Sequence, residues 1–514
     1  MKNKLFITYN FFIYTAVFAQ VQTGSFTYFN KTFGGNDTIN ILAQAVQPLE
    51  DGYLVLGGYS SANINNARYL VRLDENGDAL WIKNIVTGSQ WNVIEDGKFV
   101  CATTDSNIVV AIGGIVNNAA KEIHLFKIDH SGNEIWHRVY ESDTIKLVRH
   151  IVQTSDNGFA MAGLLGTSDT AKFLLIKTDA EGWIEWQRTY KMGNDARAFS
   201  VQQTPWDGGY IIGGWGYSTT TGYDMFVVKT LANGDTLWTK RYGGIYDDCA
   251  ALVVPVTTLD EHLAGYPVEY VLTACWKQGA TMFDRRFYIA KIDETGNVIW
   301  DYKYNNYQAM PGLQTFPIVK SNKEIVGATG FTNAIGQKEA VIFNFRATGT
   351  IKWSKPYTIN SEKDCYLKDL QPTPDGGNVL AGYQYSSPQT AWVLKIDSLG
   401  NTCSYVGCDS TVVVEVVPGI PSHSNPKILA MVYPVPATTH LNISYQIPAA
   451  VLPFGGAVWQ LFDAFGRQLA EKTLQGSAGV EQVSVAHLPS GLYYYRVTTP
   501  QGQRLASGKV VVEQ

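Results

Sequence analysis

The chain has 514 residues, a formal net charge of -5 and only 17% charged residues. That balance excludes the basic footprint of a nucleic-acid binder and a polybasic tract for a membrane surface. Its 48 glycines, 29 tyrosines, 22 phenylalanines and 13 tryptophans are the mix expected of many short strands joined by tight turns.

Residues 1–19 read as a secretory signal. Lys2 and Lys4 give the positive start, an apolar run follows through Leu5, Phe11, Phe12, Ile13 and Val17, and Val17 and Ala19 suit cleavage before Gln20. The run is short and broken by Thr8, Tyr9 and Asn10, unlike a membrane anchor. No transmembrane segment is expected in the mature chain.

From residue 20 to 409 one pattern recurs, Lys-x-Asp-x-x-Gly-x-x-x-Trp, fullest at Lys127, Asp129, Gly132 and Trp136. Its period of about fifty residues is that of a repeat architecture. The anchor tryptophans are Trp81, Trp136, Trp186, Trp238, Trp300 and Trp353, and a seventh unit at Lys395, Asp397 and Gly400 has Ser404 in that place. Each unit reads as four strands, as in "AFSVQQT", "YIIGGW", "MFVVKT" and "DTLWTKRY". The turns between them, such as Asp207-Gly208-Gly209 and Asn233-Gly234, place glycine where a short hairpin needs positive φ. Four short antiparallel strands, repeated seven times, predict a seven-bladed β-propeller. The N-terminal "FTYFNKTFGG" matches "TLWTKRYGG", so Phe29 stands where a unit's tryptophan would. The start of the chain thus reads as the missing fourth strand of the seventh unit, and pairing the two closes the ring and removes an open edge.

Two rings of equivalent positions emerge. Tyr59, Ile115, Leu164, Trp215, Trp276, Phe331 and Tyr383 follow the second strands, for packing between blades or for an aromatic surface toward sugar rings or peptides. Arg72, Lys127, Lys177, Lys229, Lys291 and Lys395, with Asp74, Asp129, Asp179, Asp293 and Asp397 two residues on, suit structural ion pairs within or between blades. The drift at Leu231, Asn344 and Arg346 speaks against a catalytic requirement in every unit. Trp206 lies in a turn whose counterparts carry Glu50 and Pro374, so it is not a repeat requirement and is a candidate contact residue with Trp215 and Trp276.

Six cysteines in an exported chain permit disulfides. Cys403 and Cys408 are close enough to bridge, and Cys249 and Cys275, on consecutive strands of one unit, form a second candidate pair. Cys101 and Cys365 have no obvious partner. No metal or cofactor site is expected: His124, His130, His137, His150 and His262 sit in no nucleophile or ligand motif, and no glycine-rich loop opens a helix.

The repeats resemble secreted bacterial propellers built from "DGGYILAG…KLDxxGxxxW" units. They are more distantly similar to quinoprotein alcohol dehydrogenases, whose tryptophan-docking motif also ends in Thr-Gly-x-x-x-Trp, as at Thr295, Gly296 and Trp300. Here the Asp-to-Gly interval is one residue shorter, and those enzymes have eight blades. Residues 154–158 and 373–377 faintly resemble sialidase Asp-boxes without the closing aromatic and read as hairpin turns.

Residues 410–429 read as a linker, β-prone and then rich in Pro and Ser. Residues 430–514 strongly resemble the C-terminal sorting domain of type IX secretion cargo. The matching residues are Pro434 and Pro436; Asp463, Gly466 and Arg467; Pro489, Gly491 and Tyr493; then Gly508 and Lys509. Val435 stands where that family usually has Asn. The resemblance implies an immunoglobulin-like sandwich, handling by the type IX machinery, removal by a sortase-like peptidase, and release or attachment at the outer cell surface. For the propeller, three functions remain open. One is a secreted or surface binding module for a glycan or protein. Another is an enzyme, either a polysaccharide hydrolase or lyase or a quinone-dependent oxidoreductase. The third is a purely structural surface protein. Fold alone does not separate them.

Overall fold

The computed structural model describes residues 28–34, 40–61, 64–85, 98–116, 120–167, 170–279, 281, 284–304, 308–309, 315–333, 336–358, 364–385, 387–402, 409–413, 429–433, 436–447, 457–463, 467–498 and 504–513. The expected signal sequence, the Cys403–Cys408 bridge, Pro434 and Gly466 lie outside the described residues.

Blade 4 shows the building plan. Its inner strand Ala196–Gln203, second strand Tyr210–Ser218, third strand Gly222–Thr230 and outer strand Thr236–Tyr242 pair antiparallel in chain order. Blades 1, 2, 3 and 5 repeat it over 40–85, 100–142, 146–190 and 252–304. In blade 6 two short strands, Gln308–Ala309 and Ile318–Val319, share the inner place on Ile325–Thr332. Blade 7 is made of Cys365–Pro372, Asn378–Gln384 and Thr390–Ile396, and is completed by Phe29–Gly34 from the start of the chain. Phe29 sits opposite Lys395, as Trp186 sits opposite Lys177 and Trp238 opposite Lys229, so the displaced strand keeps the register of the repeat. One addition was not foreseen. Asp409–Val413, at the start of the expected linker, runs parallel along the free side of Phe29–Gly34 as a fifth strand.

The apolar core is divided among the junctions between blades. Separate buried clusters join blades 7 and 1, 1 and 2, 2 and 3, 3 and 4, 4 and 5, 5 and 6, and 6 and 7. Both faces of a blade are therefore apolar, which is why its middle strands read as continuous hydrophobic runs and not as alternating ones.

The repeat motif holds these junctions. The glycine of each hairpin turn has φ between 72° and 85°, as at Gly132 and Gly349, and lies under an aromatic ring of the preceding blade. Trp81 covers Gly132, Trp136 covers Gly182, Trp186 covers Gly234, and Phe29 covers Gly77 at the point of closure. Any Cβ would meet the ring, so glycine is required for the close approach as well as for the turn. Tyr140, Tyr190, Tyr242 and Tyr357 then donate their hydroxyls to the carbonyls of Gly182, Gly234, Gly296 and Gly400 at 2.6–2.7 Å.

The C-terminal domain has two sheets. Leu429–Tyr433, His440–Gln446 and Ala478–Ser484 form one, and Gln468–Leu474, Ala457–Phe462, Gly491–Thr498 and Arg504–Val512 the other. They enclose Trp459, Leu461, Leu441, Ile443, Val497 and Val510, an immunoglobulin-like sandwich. The predicted motif residues that are described occupy turns and close contacts. Arg467 Nε donates to Asp463 Oδ2 at 3.1 Å across a turn. Tyr493 Oη donates to the Pro489 carbonyl at 2.8 Å. Gly491 opens a strand, Pro436 is exposed, the backbone of Lys509 pairs with Tyr494, and Gly508 leaves room for the Tyr495 ring.

Candidate functional site

The ring has two unlike ends. One carries the turns between inner and second strands and the hairpins between third and outer strands. The other carries the loops between second and third strands and the connections from blade to blade.

The turn end is occupied by the scaffold. Lys229 Nζ reaches Asp207 at 2.7 Å and the Thr230 carbonyl at 2.8 Å, Lys177 reaches Asp156 at 2.7 Å, and Lys127 reaches Asp105 at 2.7 Å. Arg72 pairs with Asp51 in the same way. Burial alone would raise the Asp207 carboxyl, but Lys229, the Thr204 hydroxyl and the Gly209 amide together hold it below its ordinary range. The ion pairs are thus within blades, and the partner is the acid of the first turn. The aspartate two residues along the motif caps the hairpin instead: Asp129 Oδ1 accepts from Asn133 N–H, and Asp293 Oδ1 from Asn297 N–H, both at 2.8 Å. Where Leu231 replaces it, Asn233 accepts from Asp235 N–H at 3.0 Å. Where Asn344 replaces the lysine, Lys352 supplies the cation, 2.6 Å from Glu324. Trp206 belongs to this end, half-buried with its ring 5.9 Å from Tyr270 and 5.8 Å from His262. His262 lies in a short helix, Leu259–Leu263, formed by the extra residues of blade 5.

Around the axis the inner strands leave backbone N–H groups unpaired in their own sheets, and the preceding blade satisfies several of them. Val201 N–H donates to His150 Nδ1 at 3.0 Å, Val253 N–H to Ser200 Oγ at 3.1 Å, and Val46 N–H to Asp369 Oδ2 at 3.0 Å. The axis is also bridged. His150 of blade 3 stacks on Phe316 of blade 6 with centroids 4.3 Å apart, and Lys98 donates to Gln371 Oε1 at 2.9 Å. Burial pushes the His150 imidazole well below its ordinary pKa and raises the Asp369 carboxyl. His150, Asp369 and Lys98 are thus engaged in holding the ring.

The loop end differs. At the first ring of equivalent positions, Tyr59, Leu164 and Phe331 are buried, whereas Trp215, Trp276 and Tyr383 are half-exposed. A run of half-exposed rings leads outward across blade 4. Phe199, on the inner strand, meets Trp215 at 5.1 Å; Trp215 meets Tyr223 at 5.1 Å; and Tyr223 meets Tyr217 at 5.0 Å. Arg149 lies 4.0 Å over Phe199 and Arg197 5.9 Å over Trp215. Asp195 fixes this group, accepting two bonds from Arg197 at 3.0 Å and one from the Tyr223 hydroxyl at 3.1 Å. In blade 5, Trp276 packs on Tyr288 at 5.2 Å beneath Lys303 Nζ, 3.9 Å from its ring. In blade 7, Tyr366 and Tyr383 stack at 4.9 Å beside the exposed Tyr385. Trp215 and Trp276 therefore share one end of the molecule and Trp206 lies at the other.

Beneath this surface Asp224, in the third strand of blade 4, and Asp248, in the connection from blade 4 to blade 5, are almost wholly buried, and a methyl group on Gly243 would press on a carboxylate oxygen of each. Asp248 accepts from Lys277 N–H at 2.7 Å and Gly244 N–H at 3.1 Å. Burial, with Asp224 and Asp247 nearby, pushes its pKa up to about 7. Motif reading missed this pair, and also Trp183, whose exposed ring lies under Arg138 at 4.3 Å. For Trp183 the signal was present, a second tryptophan just after a turn glycine. Among the described residues, no three His, Cys, Asp or Glu side chains group as a metal centre requires.

Residues 431–513 match the family model of the secretion system C-terminal sorting domain. The chain carries a type IX sorting domain. It is thus cargo of that system, destined for secretion and the cell surface, and no helix among the described residues is long and apolar enough to cross a membrane. None of the curated proteins compared with the chain matches it. Solved structures are similar only distantly. Sqt1 from Chaetomium thermophilum is 11% identical with a TM-score of 0.39 over 74% of this chain and 85% of that one. Extracellular domains 1-2 of Drosophila Semaphorin 1a are 8% identical with a TM-score of 0.44 over 71% and 87%. A subtype N10 neuraminidase-like protein from a little yellow-shouldered bat virus is 9% identical with a TM-score of 0.34 over 70% and 95%. The propeller assignment rests on the sheets of this chain.

Proposed function

We propose that the propeller is an extracellular binding module whose glycan or protein ligand docks on the loop end of blades 4 and 5, with Trp215 and Trp276 as contact residues. One observation carries this reading. Positions that are buried in blades 1, 3 and 6 hold tryptophans here that are only partly buried, beside Arg197, Asp195 and Lys303. Aromatic faces flanked by oriented hydrogen-bonding groups suit both sugar rings and peptide surfaces. Trp206 is a packing residue in this reading. The buried Asp224–Asp248 pair favours no hydrolase, since both carboxyls are closed to solvent and most of their oxygens accept bonds from the protein. In this reading a sortase-like peptidase removes the sorting domain in the linker ahead of residue 431, leaving the propeller as the displayed part. Binding to a glycan array and to surface extracts tests this with the propeller, residues 20–413. Trp215→Ala and Trp276→Ala should each weaken a hit by about tenfold or more, the range of an interface anchor. No saturable ligand in either assay, or hits indifferent to both substitutions, would refute it.

A further inference from the structure

We infer that Cys249 and Cys275 are joined by a disulfide in the exported protein. In the structure both are buried thiols, exposed by 3% and 0%. Cys249 lies just ahead of the inner strand Leu252–Pro255, and Cys275 lies in the second strand, Glu269–Lys277, which runs antiparallel to it. Cys249 N–H donates to the Cys275 carbonyl at 2.9 Å, and both residues belong to one buried cluster. Residues facing one another across such a backbone bond have Cα atoms roughly 5.5 Å apart. That lies within the ~4.4–6.8 Å a disulfide spans, so the bridge needs little backbone movement.

The repeat gives a second, independent reason. Directly before the half-exposed ring position the other blades carry Gly58, Gly114, Gly163, Gly214, Gly330 and Gly382. At Gly163, Gly214 and Gly382 an added Cβ would collide with a carbonyl of the facing strand. Blade 5 alone places a side chain there, Cys275, and it bonds a second cysteine to that residue's carbonyl within the same buried cluster. A residue that departs from a steric rule of its fold and meets its own kind across the strand is explained by a covalent bond between them.

The sorting domain puts this propeller outside the cytoplasm, where disulfides form and persist. The exchange balances with a thiol–disulfide oxidoreductase as oxidant. One cysteine thiolate attacks the oxidant's disulfide and releases a thiolate. The other cysteine then displaces the mixed disulfide, so two protons and two electrons pass in all to the oxidant, which leaves as a dithiol. Burial, with Cys249 alongside, raises the Cys275 thiol well above its ordinary pKa, so that thiol is a poor nucleophile once folded, and both sulfurs are then closed to an oxidant. Oxidation therefore precedes closure of blade 5, and the finished bond is shielded from reductants. It ties the connection that carries Asp247 and Asp248 to the strand that carries Trp276.

Peptide mapping of the full chain tests this, after export from its own cell and after synthesis in a reducing cytoplasm, each denatured and alkylated without reductant. Exported protein should yield one linked peptide containing Cys249 and Cys275, with Cys101 and Cys365 alkylated. The cytoplasmic product should be alkylated at Cys249 and Cys275. Alkylation of both residues in the exported protein, or a link from either to another cysteine, would overturn the inference. A Cys249→Ala, Cys275→Ala double variant gives a second readout. Oxidised wild type should melt several degrees higher than the variant, and reduction should abolish that difference. An unchanged difference under reductant counts against the bond.

Discussion

Asp248→Asn should remove a specific part of the pH dependence of propeller stability. Asp248 is 3% exposed and faces Asp224, whose Oδ1 has no hydrogen-bond partner among the described residues and whose Oδ2 accepts from Thr221 at 2.6 Å and Arg241 at 3.0 Å. Asp247 lies alongside, its Oδ1 accepting from Tyr223 N–H at 3.0 Å, and the Tyr288 hydroxyl and the Cys275 thiol feel the same charge. Burial comes first and the two neighbouring aspartates after it in raising the Asp248 carboxyl from 3.8 to about 7. A raised acid binds its proton more tightly in the folded state. Its contribution is therefore complete below pH ~4 and is lost as pH rises toward 7. Roughly three pKa units at ~1.36 kcal/mol each make the swing about 4 kcal/mol. The carboxamide of the variant cannot ionise, so this component of the slope should vanish. That amide, however, turns an NH2 toward one of the two backbone donors, a loss of about 1–3 kcal/mol at every pH. Urea midpoints of wild type and variant between pH 4.5 and 8 should thus diverge, with the variant weaker at the acid end and equal or stronger at the alkaline end. Parallel curves across that window would refute a shared proton at this site.

Other outcomes follow from the junctions. Phe29→Ala empties the ring position over Gly77 and against Tyr53, 5.3 Å away, and should cost about 3–5 kcal/mol. Hydrogen exchange should show the loss first in Phe29–Gly34 and its partner Thr390–Ile396. Tyr190→Phe removes one junction bond to the Gly234 carbonyl and should lower stability by about 1–2 kcal/mol without altering ligand binding, as read by unfolding and array signals together. Deleting residues 409–413 bares the outer edge of Phe29–Gly34, so light scattering should detect self-association absent from the intact chain.

The scaffold was legible because it rests on local rules applied many times over. A turn glycine, a tryptophan four residues later and a lysine five residues earlier are each set by contacts that recur at each junction. Even the displaced strand announced itself, since Phe29 and Gly34 kept the spacing of Trp238 and Gly243. The exposure of individual ring positions was not legible. Phe331 is sealed by Tyr304 and Phe343, while Trp215 is left half-open, and nothing within either unit's own sequence states what its neighbour will cover. The surroundings of Trp206 were hidden for the same reason: its partners Tyr270 and His262 belong to the next blade. The pairing of the buried acids depends on how the irregular connection that carries Asp248 folds against Asp224 of the third strand of blade 4, and that connection carries no period to read. The fifth strand was hidden in a stretch whose β-prone start gave way to Pro and Ser.

The strand Phe29–Gly34 lies between Thr390–Ile396 and Asp409–Val413, two partners that arrive only when the propeller sequence is almost finished. No earlier part of the chain can close the ring, so this strand waits through the emergence of every blade. The sorting domain at 431–513 follows directly after those partners. A polypeptide that displays it has already delivered both partners of the closing strand, whereas one broken off before residue 390 lacks those partners and the sorting domain alike. The order of segments along the chain thus sets the sorting domain behind the last strand of the ring.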